Sequence, residues 1–275
     1  MTWLALQRMG SFVRTLSRTI RRGELGGSPL PTVFPSLAKW KAHIRRSEFT
    51  MIAAESGSFK STVALWMAVQ WVTKHGLLGL YLSADSSELV MAARAVAQMT
   101  GKTTTETEAA LASNDGAAFA ALSQLKGLEW SFEPDIRLET IQLELDAFEE
   151  KWGRTPDFLI VDNLSDVEAE TDDEFGALRR TGRTLTYVAR KAEVAIVALH
   201  HTSEDDRYKK SACPPKGAVM GKVNVKQALV VTIGAPERER LPLAVVKSRF
   251  GPSDKTGNSP IYLNFNPSTS SFLDA

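Results

Sequence analysis

From residue 49 onward, short apolar runs rich in β-branched and aromatic residues alternate with stretches whose apolar positions recur every three to four residues. The runs at 49–54, 79–83 and 158–162 are followed by helical patterns at 61–74, 86–99 and 174–191, and a further run at 194–199 closes the series. Runs that are apolar throughout, with no polar alternation, suit strands covered on both faces. The spacing therefore predicts βαβ units and a mainly parallel, twisted α/β sheet flanked by helices. The character changes near the end of the chain. There 228–233, 241–246 and 260–265 read as strands separated by turn-forming residues, which predicts an antiparallel extension of the sheet.

The first thirty residues read differently. Trp3, Leu6, Met9, Phe12, Leu16 and Ile20 recur at helical spacing, with Arg8, Arg14, Arg18, Arg21 and Arg22 mostly between them. This is one amphipathic helix. It stops at Gly23, and the Gly/Ser/Pro-rich stretch 26–31 reads as a linker, giving an N-terminal segment at 1–31 and one domain at 32–275. The apolar stripe must be covered by the helix's own domain, a neighbouring subunit or a membrane surface.

Composition adds bounds. A chain of 275 residues, 43% hydrophobic and 24% charged, is long enough for one large domain with an appendage. Residues 1–46 hold nine of the 33 Lys/Arg and one of the 32 acids, so a basic arm precedes a mildly acidic domain. No apolar stretch is long enough to cross a bilayer and no secretory signal pattern follows Met1, so a cytoplasmic protein without membrane partners is expected. Cys213 stands alone in a Lys/Pro-rich segment, which leaves neither a disulfide framework nor a zinc site and reads as a free thiol.

Candidate chemistry begins where the first strand run ends. Residues 54–62 read Ala-Glu-Ser-Gly-Ser-Phe-Lys-Ser-Thr and open the helical pattern that follows. This is the place of a P-loop, in which backbone N–H groups of Ser56, Gly57, Ser58 and Phe59 and a helix N-terminus cradle phosphates. Lys60 would reach the β/γ oxygens and the Ser61 hydroxyl would hold Mg²⁺, with Thr62 completing the nucleotide-binding loop. The strict motif fails at both glycines, because Ala54 and Phe59 occupy their positions. About a hundred residues on, 156–163 is an apolar run ending in Asp162, the arrangement that sets a carboxylate beside the nucleotide's metal at a strand's C-terminal end.

Together these segments resemble the motor domain of DnaB-family replicative helicases, over roughly residues 34–265. The resemblance is carried by Phe34-Pro35-Ser36-Leu37, by 45–54, by the loop ending Lys60-Ser61-Thr62, and by 82–88, where the family has a Ser followed two positions later by a catalytic Glu. Here Asp85 holds that position, with Glu88 as a substitute. The strand ending His200-His201-Thr202 is similar to the family's γ-phosphate or DNA-sensing strand in its plasmid and phage members. The turn Lys247-Ser248-Arg249-Phe250-Gly251-Pro252 resembles the family's Lys-x-Arg-x-Gly-Pro turn, whose cations reach the nucleotide of an adjacent subunit.

The resemblance implies a RecA-like fold, ATP and Mg²⁺ as cofactors, and a homo-oligomeric, hexameric ring acting on single-stranded or branched DNA. The catalytic set would be Lys60, Asp85, Glu88, Asp162, His201, Lys247 and Arg249, with Ser61, Asp162 and Asp85 at the metal. The segment 203–223 corresponds to a DNA loop and carries Arg207, Lys209, Lys210, Lys216 and Lys222. Residues 1–22 would take the place of the family's linker helix on the next protomer, and a phage or plasmid protein without the family's N-terminal domain is expected.

Two other readings stay open on the residues alone. Asp85, Glu88, Asp162 and Asp166 could gather metals, Mn²⁺ included, for a nuclease. The degenerate loop also suits a non-catalytic ring or loader with structural nucleotide.

Overall fold

The structure, a computed structural model, describes residues 27–134, 136–164, 167–168, 174–203, 205–208, 210–220 and 226–274. The expected helix at 1–22 lies outside the described residues. The strands are β1 (Phe49–Ala54), β2 (Gly79–Ser83), β3 (Leu128–Ser131), β4 (Ile136–Arg137), β5 (Phe158–Asp162), β6 (Val167–Glu168), β7 (Ala195–His201), β8 (Leu229–Ile233), β9 (Arg240–Ser248), β10 (Ile261–Asn266) and β11 (Ser271–Asp274). Nine of them form one sheet in the order β11-β10-β9-β8-β1-β7-β5-β2-β3, and β4 and β6 pair separately.

Every residue of β1, β2, β5 and β8 is buried. That follows from helices covering both faces, which removes any reason for polar alternation. On β1, Ile52 and Ala54 join a core with Val63, Met67 and Trp71 of the helix Lys60–His75, while Met51 and Ala53 join the core on the other side with Leu145, Phe148 and Leu185 of the helices Leu138–Trp152 and Glu174–Lys191. The first of these helices ends where Gly76 takes a left-handed conformation and its N–H caps the last carbonyls.

The strand pattern of the C-terminal third needs one correction. The segment expected to begin the antiparallel extension, β8, pairs parallel with β1, and antiparallel pairing begins at β8–β9 and continues through β10 and β11. The long connection after β7 returns the chain to the start edge of the sheet, so β8 enters in the same direction as β1. Further elements carry no clear signal in the sequence. These include β3, β11 and the helices Thr104–Ala112 and Gly116–Leu122, the former opened by a capping box between Thr103 and Glu106.

At the N-terminal edge of the sheet a buried carboxylate ties elements together. Asp157 accepts from Arg46 at 2.6 Å, Arg154 at 2.9 Å and the Leu78 N–H at 2.9 Å. Burial pushes its carboxyl up, but the bonds from Arg154, Arg46 and Leu78 outweigh it and the net position is below the ordinary value.

Candidate active site

The loop after β1 turns on two residues with positive φ. Gly57 sits at φ 72 with open space where a side chain would project. Phe59, the N-cap of the helix Lys60–His75, sits at φ 60, ψ 20. A phenylalanine in this left-handed region costs about 1–2 kcal/mol. Its ring is not free, however: it packs edge-on to Phe265 of β10, centroids 4.5 Å apart, a contact worth about 0.5–1.5 kcal/mol beyond area burial. The two magnitudes are comparable.

Behind the loop the charged groups converge. Lys60, only 7% exposed, donates through Nζ to the carbonyls of Glu55 at 2.9 Å and Ala54 at 3.4 Å. Burial lowers its pKa, opposed by the charges of Asp162 and Asp85. Asp162 ends β5, 4% exposed, and accepts from the Tyr81 hydroxyl at 2.9 Å and from the Ser61 side chain. Burial raises its carboxyl above the ordinary value despite the Ser61 and Tyr81 bonds; Asp85 adds to the rise and Lys60 opposes it. Tyr81 is pushed well above its ordinary value by burial and by Asp162.

Asp85 follows β2 and is exposed. Asn163 Nδ2 donates to its Oδ2 at 3.2 Å and lies 3.5 Å from Nε2 of His201. Asn163 thus links the ends of β2, β5 and β7, a role that only its place directly after the acid could have signalled.

The donor set fits a hard divalent cation. Ser61 and Asp162 offer only oxygen, and a buried carboxylate that burial drives toward protonation gains from a neighbouring positive charge.

The profile of the AAA domain family matches residues 32–207, about two thirds of the chain. The chain belongs to the AAA domain family. Its curated relatives include the gene 65 protein of Mycobacterium phage L5, 25% identical over 248 residues, 87% of this chain and 90% of that one. The gene 65 protein of Mycobacterium phage D29 is 25% identical over 224 residues, 78% and 94% of the two chains. Among solved structures, an ATPase domain matches with TM-score 0.78 at 15% identity, covering 97% of this chain and 98% of that one. The structure of a DnaB-like replicative helicase, described with its interactions with primase, matches with TM-score 0.77 at 15% identity and 96% coverage, and this chain spans 66% of that helicase's length. The RadB recombinase matches with TM-score 0.59 at 14% identity, over 90% of this chain and 99% of that one. The fold is thus the RecA-type P-loop fold, with the antiparallel C-terminal strands expected of it.

The AAA domain places its remaining candidate residues unevenly. Glu88 is an exposed residue opening the helix Glu88–Thr100, and the groups acting on the charge of Asp162 are Ser61, Tyr81, Asp85 and Lys60. Among the described residues no group of three or more His, Cys, Asp or Glu is placed to hold a metal, and Asp166 lies outside them. The four-carboxylate arrangement that a nuclease reading invoked therefore finds no support there.

The basic segment after β7 is folded against its own domain. Cys213 is a buried free thiol pushed up to about 12 by burial, its N–H bonded to the Gly257 carbonyl, and the Lys216 N–H donates to the Lys255 carbonyl. Lys210 is exposed and Lys216 half-buried, near enough to Lys247 to act on its charge. Lys209 and Lys222 lie outside the described residues, and Arg207 falls in a short 3₁₀ turn.

Arg249 is held by Glu48, its Nη1 2.9 Å from both carboxylate oxygens, and its Nη2 donates to the Lys226 carbonyl at 3.2 Å. Glu48 immediately precedes β1 and the phosphate loop immediately follows it. Six strand residues at about 3.3 Å each put roughly 20 Å between them. Lys247 beside it is lowered to about 8 by burial and by the charges of Lys216 and Arg249.

Proposed function

We propose that this AAA domain is an ATP-hydrolysing motor of the DnaB-like kind that assembles head to tail into a ring, hexameric in form, on single-stranded or branched DNA. The observation that carries the reading is the convergence of Lys60, Ser61, Asp162 and Asp85 at the C-terminal ends of β1, β5 and β2, parallel strands of one sheet with β7 between β1 and β5, where α/β folds bind their ligands.

In this reading the amides of 56–59 and the start of the helix Lys60–His75 hold the phosphates, and Lys60 turns from the loop carbonyls to the β/γ oxygens. Ser61 and Asp162 would hold Mg²⁺, which when bound would supply positive charge against the phosphate oxygens. Asp85, steadied by Asn163, takes the proton of the attacking water. Its reach is one methylene shorter than a glutamate's, which favours slow turnover.

The length of β1, roughly 20 Å, separates the phosphate loop from Glu48, which holds Arg249, and this supports a role toward a neighbour's nucleotide, because a planar, permanently charged guanidinium suits charge developing on a transferred phosphoryl group. Residues 1–22 would cover their apolar stripe on that neighbour, and Arg207, Lys209, Lys210, Lys216 and Lys222 would track the DNA backbone.

Replacing Lys60 by Ala is expected to lower ATP turnover about a hundredfold or more, the scale on which removal of one preorganised donor to developing charge acts. A folded Lys60→Ala protein with wild-type turnover would sink the assignment.

A further inference from the structure

We infer that Phe59 is a positioning residue that makes the C-terminal hairpin, β10–β11, part of the phosphate loop's support. The inference rests on reading 54–62 as a phosphate cradle. Where the usual loop has a glycine, whose backbone needs no help to enter the left-handed region, this chain has a side chain that must be restrained there. The restraint comes from the far end of the sequence. Phe265 meets Phe59 at 4.5 Å and is itself stacked on Phe272 of β11 at 4.8 Å and 17°.

A second, independent tie joins the same two elements. Gln98, 7% exposed, donates through Nε2 to the Thr62 carbonyl at 3.3 Å and to the Ser270 carbonyl at 3.0 Å. It therefore bridges the first turn of the loop's helix to the hairpin turn. That turn is fixed again by the Thr104 N–H on the Ser268 carbonyl at 2.8 Å. The hairpin turn also walls a cavity of about 350 Å³ with Gly57, Lys60, Ser61 and Arg94.

The loop is thus held open in its phosphate-ready shape by contacts that touch no phosphate. Removing Phe265 releases Phe59, which then leaves the left-handed conformation, and binding must restore it. Loosening the hairpin weakens nucleotide binding through the loop.

The test measures Mg·ADP affinity by calorimetry and deuterium uptake at residues 55–62 in the full chain. Phe265→Leu is expected to weaken Mg·ADP about tenfold, a typical coupling between residues in contact, and to speed exchange at 55–62 in the nucleotide-free protein. In a Phe59→Gly background the same Phe265→Leu change should alter affinity less than about twofold, because the contact it breaks is already gone. Unchanged affinity and exchange in Phe265→Leu, or an equal loss in both backgrounds, would overturn the inference. Should Phe265→Leu fail to fold, Phe59→Leu, at the edge of the core, must weaken Mg·ADP and speed the same exchange, and wild-type values there overturn it. A wild-type chain that does not bind Mg·ADP would instead remove the reading of the loop itself.

Discussion

Asp162 is a charge in a place that burial makes costly, and its neighbours explain how it is kept. Two hydroxyls, Ser61 and Tyr81, donate to it, and Lys60 sits close enough to stabilise its charge. Tyr81 is wholly buried, and its hydroxyl reaches the site through Asp162. Its ring is fixed by stacking on Trp130 at 5.5 Å, so the hydroxyl has little freedom to turn away. A donor to the charged form lowers a carboxyl pKa, so removing it raises that pKa further. Tyr81→Phe is therefore expected to shift the acid limb of the ATPase pH profile to higher pH, with kcat falling more than KM changes. An acid limb that stays in place would show the bond to be structural only. Asp162 itself was legible in sequence as an acid closing an apolar run. Tyr81 was not, because nothing along the chain marks a tyrosine 81 positions away as its partner.

At the scale of elements, β7 illustrates how one strand serves core and site together. Successive side chains point to opposite faces, so His200 is buried while His201 lies half-buried beside Asn163. His200 donates through Nε2 to the Met220 carbonyl at 3.1 Å, fixing the neutral tautomer, and Nδ1 is buried without a partner among the described residues. Burial, then His201 and Lys60, lower its pKa from 6.5 to about 4, against the bond to Met220. The folded form thus prefers neutral histidine. The associated stability is complete above about pH 6.5 and is lost as pH falls toward 4, amounting to roughly 3 kcal/mol at about 1.4 kcal/mol per unit. Urea titrations between pH 7 and 4 should show that loss in wild type and a flatter profile in His200→Gln. Equal slopes in the two proteins would argue that another group carries the acid sensitivity.

For the whole molecule the decisive relation is between the two ends of β1. The phosphate loop leaves one end, and Glu48 holds Arg249 at the other. Gly251 secures that turn, since a Cβ there would meet the Trp40 carbonyl at 2.5 Å. If Arg249 acts on a neighbour's nucleotide, Lys60→Ala and Arg249→Ala fail in different subunits. Each single variant should lose most ATP turnover, on the order of a thousandfold for the arginine. Rings mixed from the two should recover part of the rate, because some interfaces pair an intact loop with an intact arginine. Mixed assemblies that form without any recovery, or an Arg249→Ala protein with normal turnover, would leave the Glu48 pair as a structural clamp alone.

By itself the sequence determined the layered α/β architecture, because uninterrupted apolar runs and three-to-four-residue periodicity are local signals of burial on two faces or one. It also marked the candidate phosphate loop, since Lys60-Ser61-Thr62 follow a strand and open a helix, the placement that chemistry would need. What the tertiary structure alone decided were relations between distant positions. β8 runs parallel because of where a long connection returns the chain, which no local pattern encodes. Asp85 acts on the charge of Asp162 because β2 and β5 are paired neighbours, and that pairing joins positions far apart in the chain. The substitution that most weakened the motif on paper, Phe59 for glycine, gains its meaning only from Phe265 on the C-terminal hairpin, where side-chain packing offsets a backbone strain that the sequence alone leaves unexplained.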